Sequence, residues 1–341
     1  MSLATMALTV AVKSRAIELG FDRVAVGPAD PPEHAARFEA WLDAGYAGTM
    51  AYLARTRAER TDPARLLSGA RSVVAVALSY KPEREPREWA AVARYARGRD
   101  YHDVMRPRLD DLAAFIDRSG AVGTRSRAAV DTSAVLERDL AARAGLGWLG
   151  KNTNVLTPDL GSYFFIGVVL TTAGLAADAG EPDRCGTCRA CLDACPTRAF
   201  PAPYVLDARR CLSYLTIEHR GAIAPELAGD VRDWIFGCDV CQEVCPWNRK
   251  AATAREPTFT AAGPWPPLAE ILEMDEAAFR QRFRGSPVRR ARRAGLVRNA
   301  ALAAGNLGLR EMVPLLRRLT GDADGGVRAA ATWALAQLGE C

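Results

Sequence analysis

The chain has 341 residues, 49% of them hydrophobic, and 45 Lys and Arg against 40 Asp and Glu give a formal net charge of +5. That length exceeds one ordinary domain and points to two or three, and the composition excludes a disordered or fibrous chain. No apolar run is long enough to span a membrane, and the stretch Met1 to Val12 has no basic segment before it and no twin-arginine signal, so it reads as a helix and the expected location is the cytoplasm.

Residues 4–19 have helical character and stop at Gly20, and Val24-Ala25-Val26 reads as a short strand. Pro31-Pro32-Glu33 opens a helix to about Ala44, and Met50 to about Arg60 is helical up to Thr61-Asp62-Pro63. Residues 72–79 form a continuous apolar β-type run, as in a strand covered on both faces. Helices near 103–118 and 134–144 alternate with strands at 127–130, 153–157 and 163–171, which predicts an α/β domain over residues 1–176. A turn-rich stretch then leads into a cysteine-bearing unit, 177–255. Four prolines, Pro257, Pro264, Pro266 and Pro267, mark a linker into a helical third unit, 256–341. There Val297-Arg298-Asn299-Ala300-Ala301 returns as Val327-Arg328-Ala329-Ala330-Ala331, the pattern of a short HEAT-like array. Two such repeats cannot stand alone and are expected to dock on the body.

Eight of the nine cysteines lie between Cys185 and Cys245. Cys185-x-x-Cys188-x-x-Cys191-x-x-x-Cys195-Pro196 is the ferredoxin-type ligand run, in which the fourth cysteine serves the other cluster of a pair. By that logic Cys185, Cys188, Cys191 and Cys245 hold one 4Fe-4S cluster, and Cys195, Cys211, Cys238 and Cys241 the second. Cys211 replaces the first cysteine that the second run lacks, and Cys341 is left over. Structural zinc is the competing reading, but zinc sites rarely repeat three close cysteines and a Cys-Pro.

Asp131 follows an apolar strand and precedes a helix, so it is either a helix N-cap or a proton donor or acceptor at a strand end. Gly145 to Thr153 resembles phosphate and dinucleotide loops only in part, because Asn152 stands where a Walker loop has Ser or Thr and a helix rather than a strand precedes it. A loop passing close to a flat ligand is the better reading. Asp100-x-His102 opens a corrinoid lower-ligand signature that Met105 breaks, so no histidine ligand to cobalt is expected. Arg280, Arg282, Arg284, Arg289, Arg290, Arg292, Arg293 and Arg298 form a basic run, either a solvated helix face or a phosphate-binding footprint.

Together these segments resemble the epoxyqueuosine reductases, cobalamin- and iron–sulfur-dependent enzymes of tRNA queuosine formation. The resemblance rests on Met50-Ala51-Tyr52-Leu53, Arg60-Thr61-Asp62-Pro63, Tyr95-x-x-Gly98-x-Asp100-Tyr101-His102, Val130-Asp131-x-x-x-Val135-Leu136-Glu137-Arg138, the glycine-rich loop, both cysteine runs with Cys211-Leu212-Ser213 between them, and Gly285-Ser286-Pro287. It implies a reductive-dehalogenase-like α/β domain holding base-off cobalamin, a ferredoxin-like two-cluster domain and a helical tRNA-binding region. It further implies reduction of epoxyqueuosine to queuosine at the tRNA wobble position by a monomer fed by an external electron donor. Asp131 falls on the family's catalytic acid, a role that a poorly solvated pocket would support by raising its pKa. Arg60, Tyr95, Asp131, Lys151, Asn152, Thr153 and Ser213 are the expected cofactor contacts, and Arg284, Arg289, Arg290, Arg292, Arg293 and Arg298 the expected tRNA contacts. Ala134 departs from the family's Asp motif, where proline is expected. A corrinoid dehalogenase and a non-enzymatic two-cluster carrier are the alternatives.

Overall fold

The computed structural model describes residues 2–83, 91–259 and 265–340; Pro264 and Cys341 lie outside the described residues. Its strands are β1 (Arg23–Pro28), β2 (Ser72–Ser79), β3 (Ala91–Val92), β4 (Ser126–Ala129), β5 (Trp148–Leu149), β6 (Val155–Leu156), β7 (Phe164–Thr171) and β8 (Trp234–Phe236). The main sheet has the order β1-β2-β7-β4, and every pairing in it is antiparallel. This corrects the expectation of an α/β domain to an α+β one. A strand apolar on both faces looks the same whether its neighbours run parallel or antiparallel, so the sequence pattern carries the burial but not the direction.

The alternation along β2 explains the two-sided burial. Val74, Val76 and Leu78 pack with Val12 and Ala16 of the helix Leu3–Glu18 and with Met105, Leu109 and Leu112 of the helix Tyr101–Ser119. Val73, Ala75 and Ala77 face the other way, onto Leu140, Ala141 and Ala144 at the helix Glu137–Arg143. Gly27 is required by this second layer, since a Cβ there would lie 2.7 Å from the backbone of Ala144.

A third core does not respect the boundaries expected at 176 and 255. It joins Val92 and Ala96 to the helix Leu212–Ile217, to β8 and to the C-terminal helices Arg292–Asn306, Val313–Leu319 and Gly325–Gln337. The parallel pair β3–β8 stitches the N-terminal segment into it. The C-terminal helices therefore dock on the body as expected, through the buried alanine faces Ala300–Ala304 and Ala330–Ala334. Gly305 allows the close crossing, because a Cβ there would lie 2.8 Å from the backbone of Ala334. Among the described residues no helix is long and apolar enough to cross a membrane.

Candidate active site

A cavity of about 2560 Å³ opens between the turn after β4, the cysteine segment and the basic stretch. Its walls include Tyr52, Arg60, Asp131, Cys211, Ser213 and Arg290. A second cavity of about 310 Å³ adjoins it and shares Tyr95, Tyr101, Asp131, Glu137 and Ser213, with Cys238 at its edge. The larger space is several times that needed by a drug-sized ligand, and its walls bring thiols, acids and arginines together.

Asp131 sits just beyond β4, whose last residues pair with Val168 and Val169 of β7. It has φ +43°, a left-handed conformation that non-glycine residues rarely adopt. The following helix starts at Glu137 with Leu136 as its N-cap, so Asp131 caps nothing. Arg60 holds the turn from below. Its side chain is buried, Nη1 donates to the Val135 carbonyl at 3.0 Å and Nε to Thr56 Oγ1 at 2.9 Å.

Across the turn lies the start of the helix Tyr101–Ser119. Asp100 is its N-cap and accepts from the His102 backbone N–H at 3.0 Å, which fixes His102 in the first turn. His102 Nδ1 lies 2.7 Å from Asp100 Oδ1, and Nε2 lies 3.4 Å from Asp131 Oδ2. Tyr101 stacks on His102 with centroids 4.2 Å apart and on Phe165 at 4.2 Å. Burial pulls the His102 ring downward, but hydrogen bonds and charges of Asp100 and Asp131 outweigh it and carry the imidazole up to about 9.

The same contacts correct the expectation for Asp131. Burial raises its carboxyl, but hydrogen bonds from His102 and Tyr101 and the charges of His102 and Arg290 prevail, and the group is held below the ordinary carboxylate range. Glu137 behaves in the opposite way: burial first, then the Asp131 charge, push it up to about 7. Tyr95 is raised by burial and then by Asp131, and its ring packs 6.1 Å from Phe236 and 6.3 Å from Tyr101.

The remaining expected contacts divide. Thr153 and Ser213 line the large cavity, and Ser213 Oγ donates to the Cys238 carbonyl at 3.4 Å. Lys151 and Asn152 line neither cavity. Lys151 Nζ donates to the carbonyls of Gly186 and Cys188 at 2.5 and 2.9 Å, and the Asn152 amide to the Cys241 carbonyl at 3.5 Å, so both brace cysteine loops. The glycines of this stretch answer to packing against protein. A Cβ on Gly147 would sit 2.1 Å from the Leu156 carbonyl oxygen, and one on Gly145 2.3 Å from that of Ala179.

The thiols fall into two neighbourhoods. Cys191 is pushed up to about 11 by burial and then by Cys245, Cys185 and Cys188. Cys238 is raised by burial and by Cys211, Asp239 and Cys195, and Cys241 by burial, then Cys211 and Cys238. Cys188 is exposed, whereas Cys211 and Cys238 border the cavities.

The arginine run divides as well. Arg284, Arg289 and Arg290 line the large cavity, and Arg292 is exposed beside them. Arg290 grips Glu218 with two bonds of 2.7 and 2.9 Å and lies over the Tyr52 ring at 5.7 Å. Arg298 and Arg293 do not serve as expected. Arg298 is 2% exposed and spends its guanidinium on the carbonyls of Leu215, His219 and Gly221 and on Asn299. Arg293 is bound to Asp322 at 2.6 Å and to the Met274 carbonyl at 2.9 Å. Both hold the C-terminal helices in place.

Sequence reasoning passed over Tyr101, Glu137 and His102 as site residues. All three stand inside the motif segments quoted above, but only His102 is weighed for a role there, as a metal ligand.

The chain is similar to known proteins in both sequence and structure. Residues 184–248 match the family described as "4Fe-4S double cluster binding domain", and residues 60–132 match "Epoxyqueuosine reductase QueG, DUF1730". An epoxyqueuosine reductase of Pseudomonas aeruginosa is 42% identical over 353 residues, covering 98% of this chain and 95% of that one. That of Escherichia coli K12 is 40% identical over 305 residues, covering 86% and 80%. An epoxyqueuosine reductase crystallised with an epoxyqueuosine-modified tRNA-Tyr stem loop superposes with TM-score 0.89 at 29% identity, covering 98% of this chain and 90% of that one. A Bacillus subtilis epoxyqueuosine reductase, seen with its catalytic aspartate loop swung out of the active site, gives TM-score 0.88 at 29% identity over 97% and 90%. The eight clustered thiols, the large cavity with its acid and the near full-length similarity to these enzymes agree: this chain belongs to the epoxyqueuosine reductase family.

Proposed function

We propose that the protein reduces epoxyqueuosine to queuosine in tRNA, with a bound corrinoid in the large cavity and two 4Fe-4S clusters on the cysteine segment. The observation that carries this reading is that Asp131, Cys211 and Arg290 line one cavity. Residues 1–176 carry the acid, 177–255 the clusters and 256–341 the basic face. The C-terminal helices make up a short HEAT-like array.

The donor set fits the clusters, since soft thiolates are the ligands such clusters select. Cys185, Cys188, Cys191 and Cys245 hold the one toward the surface, and Cys195, Cys211, Cys238 and Cys241 the one toward the cavity. The exposure of Cys188 and the position of Cys211 support this order. The cavity fits a base-off corrinoid: it is large and partly apolar, and both ring nitrogens of His102 face aspartates, so His102 is not a lower ligand. Tyr95, Thr153 and Ser213 would contact it, with Arg60 acting through the loop it holds. Reduced cobalamin supplies a strongly reducing centre where it is bound.

The protein's own residues supply position and protons. Opening the epoxide leaves an oxygen that must be protonated, and Asp131 delivers that proton. Arg284, Arg289, Arg290 and Arg292 position tRNA phosphates without reading sequence, while the cavity takes the wobble base. A tRNA substrate places the protein in the cytoplasm, as a monomer served by a separate electron carrier. A dehalogenase reading has no use for the basic rim, and a simple carrier has none for the cavity.

The reading is tested by anaerobic reconstitution. About eight irons and one corrinoid should bind per chain, and tRNA should bind with strong salt dependence. Zinc in place of iron, or tRNA binding indifferent to salt, would refute it.

A further inference from the structure

We propose that Asn299 is a positioning residue for the cavity-side 4Fe-4S cluster: from the C-terminal helix Arg292–Asn306 its amide clamps together the two arms of chain that present Cys211 and Cys238. This rests on the ligand assignment above and deepens it.

A four-iron cluster takes its cysteine sulfurs on a fixed frame, so the chain must hold Cys211 and Cys238 at a set separation. Neither arm can do this alone. Cys211 precedes the helix Leu212–Ile217, which has 6 residues, and a helix that short is not stable without packing. Cys238 follows β8, which has 3 residues and whose partner in its sheet is the short strand β3. Both cysteines pack against the core that contains the C-terminal helices. The helix Arg292–Asn306, with 15 residues, is the long element that both arms lean on.

Asn299 is fully buried, and both ends of its amide are bonded. Nδ2 donates to the Thr216 carbonyl on the Cys211 arm at 2.8 Å and to the Ile235 carbonyl on the Cys238 arm at 2.9 Å. Oδ1 accepts from Nε and Nη2 of Arg298 at 3.1 and 2.9 Å. A guanidinium can only donate, so Arg298 fixes which way the amide faces. Thr216 closes the same joint. Its buried hydroxyl donates to the Leu212 carbonyl at 2.7 Å and accepts from the N–H of Gly237, the residue before Cys238, at 2.9 Å. Ser213 Oγ adds a third link, to the Cys238 carbonyl. A buried polar joint with its partners in place specifies one arrangement of its segments. Asn306 supplies the contrast. About two turns further along the same helix, its Nδ2 donates to the Ala228 and Arg232 carbonyls, each at 3.0 Å, on the segment before β8 rather than next to either cysteine. Asn299 therefore acts on the cluster through the arms of Cys211 and Cys238.

The test uses the full chain, anaerobically reconstituted, as native protein, Asn299→Leu, Thr216→Val and the control Asn306→Leu. Spectroscopic redox titration follows each cluster, a chelator challenge follows iron, and the thermal midpoint follows folding. Asn299→Leu and Thr216→Val should release about four irons per chain about 10-fold faster than native protein. The potential of one cluster should move upward, because water admitted at a loosened joint favours the more highly charged reduced state; the other should stay in place. Asn306→Leu should lower the thermal midpoint while iron release and both potentials remain native. Should Asn299→Leu fail to fold, Thr216→Val, which removes one hydroxyl with little change of shape, carries the test. Native potentials and iron release in the folded clamp variants, or an equal change in Asn306→Leu, overturn the clamp while about four irons retained in Cys211→Ser leave the ligand assignment standing. All eight irons retained in Cys211→Ser overturns that assignment instead.

Discussion

Asp131 is held in a left-handed backbone conformation that non-glycine residues rarely adopt, and its neighbours keep its carboxylate ionised. The pairing predicts a pH signature in stability. His102 is raised in the folded state, so its contribution is fully present below the unfolded imidazole value near 6.5 and is lost as pH rises through about 9. Asp131 and Asp100 are depressed, so theirs is present above the unfolded value near 3.8 and lost in acid. Chemical denaturation of native protein and His102→Gln should thus differ most near pH 5 to 6 and converge above pH 9; a constant gap across that range contradicts the pairing. The arginines give a second contrast. Arg298→Ala strips three carbonyls, that of Leu215 buried, and a buried amide of their partner and should cost about 3 kcal/mol or more in unfolding free energy. Arg292→Ala should change stability by less than about 0.5 kcal/mol and lower the salt slope of tRNA binding by about one.

At the scale of elements, the cysteine runs were legible because ligand spacing is local. Asp131 was legible because the apolar strand before it announces a strand end. The His102–Asp131 contact was not, because the two meet only when the start of one helix is packed against the turn after β4. Arg298 looked like its exposed neighbours, since a charge run does not say which face of the helix packs on Leu215 to Gly221. Ala134, where proline was expected, raises the question of what steadies the turn, and Arg60 answers it from outside the segment by binding Val135. Lys151 makes the same point. Its motif neighbours pointed to a ligand, yet its ammonium closes the first cysteine loop. Lys151→Met should therefore lower retained iron on gel filtration while leaving corrinoid affinity within about two-fold; the reverse pattern would return Lys151 to the cofactor.

At the scale of the whole molecule, the described residues build three hydrophobic cores, one of which joins segments from all three units read from sequence, so those units are fused rather than strung together. The fusion has a consequence for the clusters: Cys211 packs against the same core as the C-terminal helices. Cys211→Ser should bring iron from about eight to about four per chain with folding retained, since its neighbours Leu212, Tyr214 and Leu215 keep their burial. The central claim is reduction of a tRNA epoxide with Asp131 delivering the proton, and nucleoside mass analysis of epoxyqueuosine tRNA after a single turnover tests it directly. The native holoprotein should remove one oxygen from the nucleoside, and Asp131→Asn, with iron, corrinoid and tRNA binding intact, should be slower by about 100-fold or more. An unchanged rate in Asp131→Asn, or no oxygen loss with the fully loaded native protein, would contradict the account.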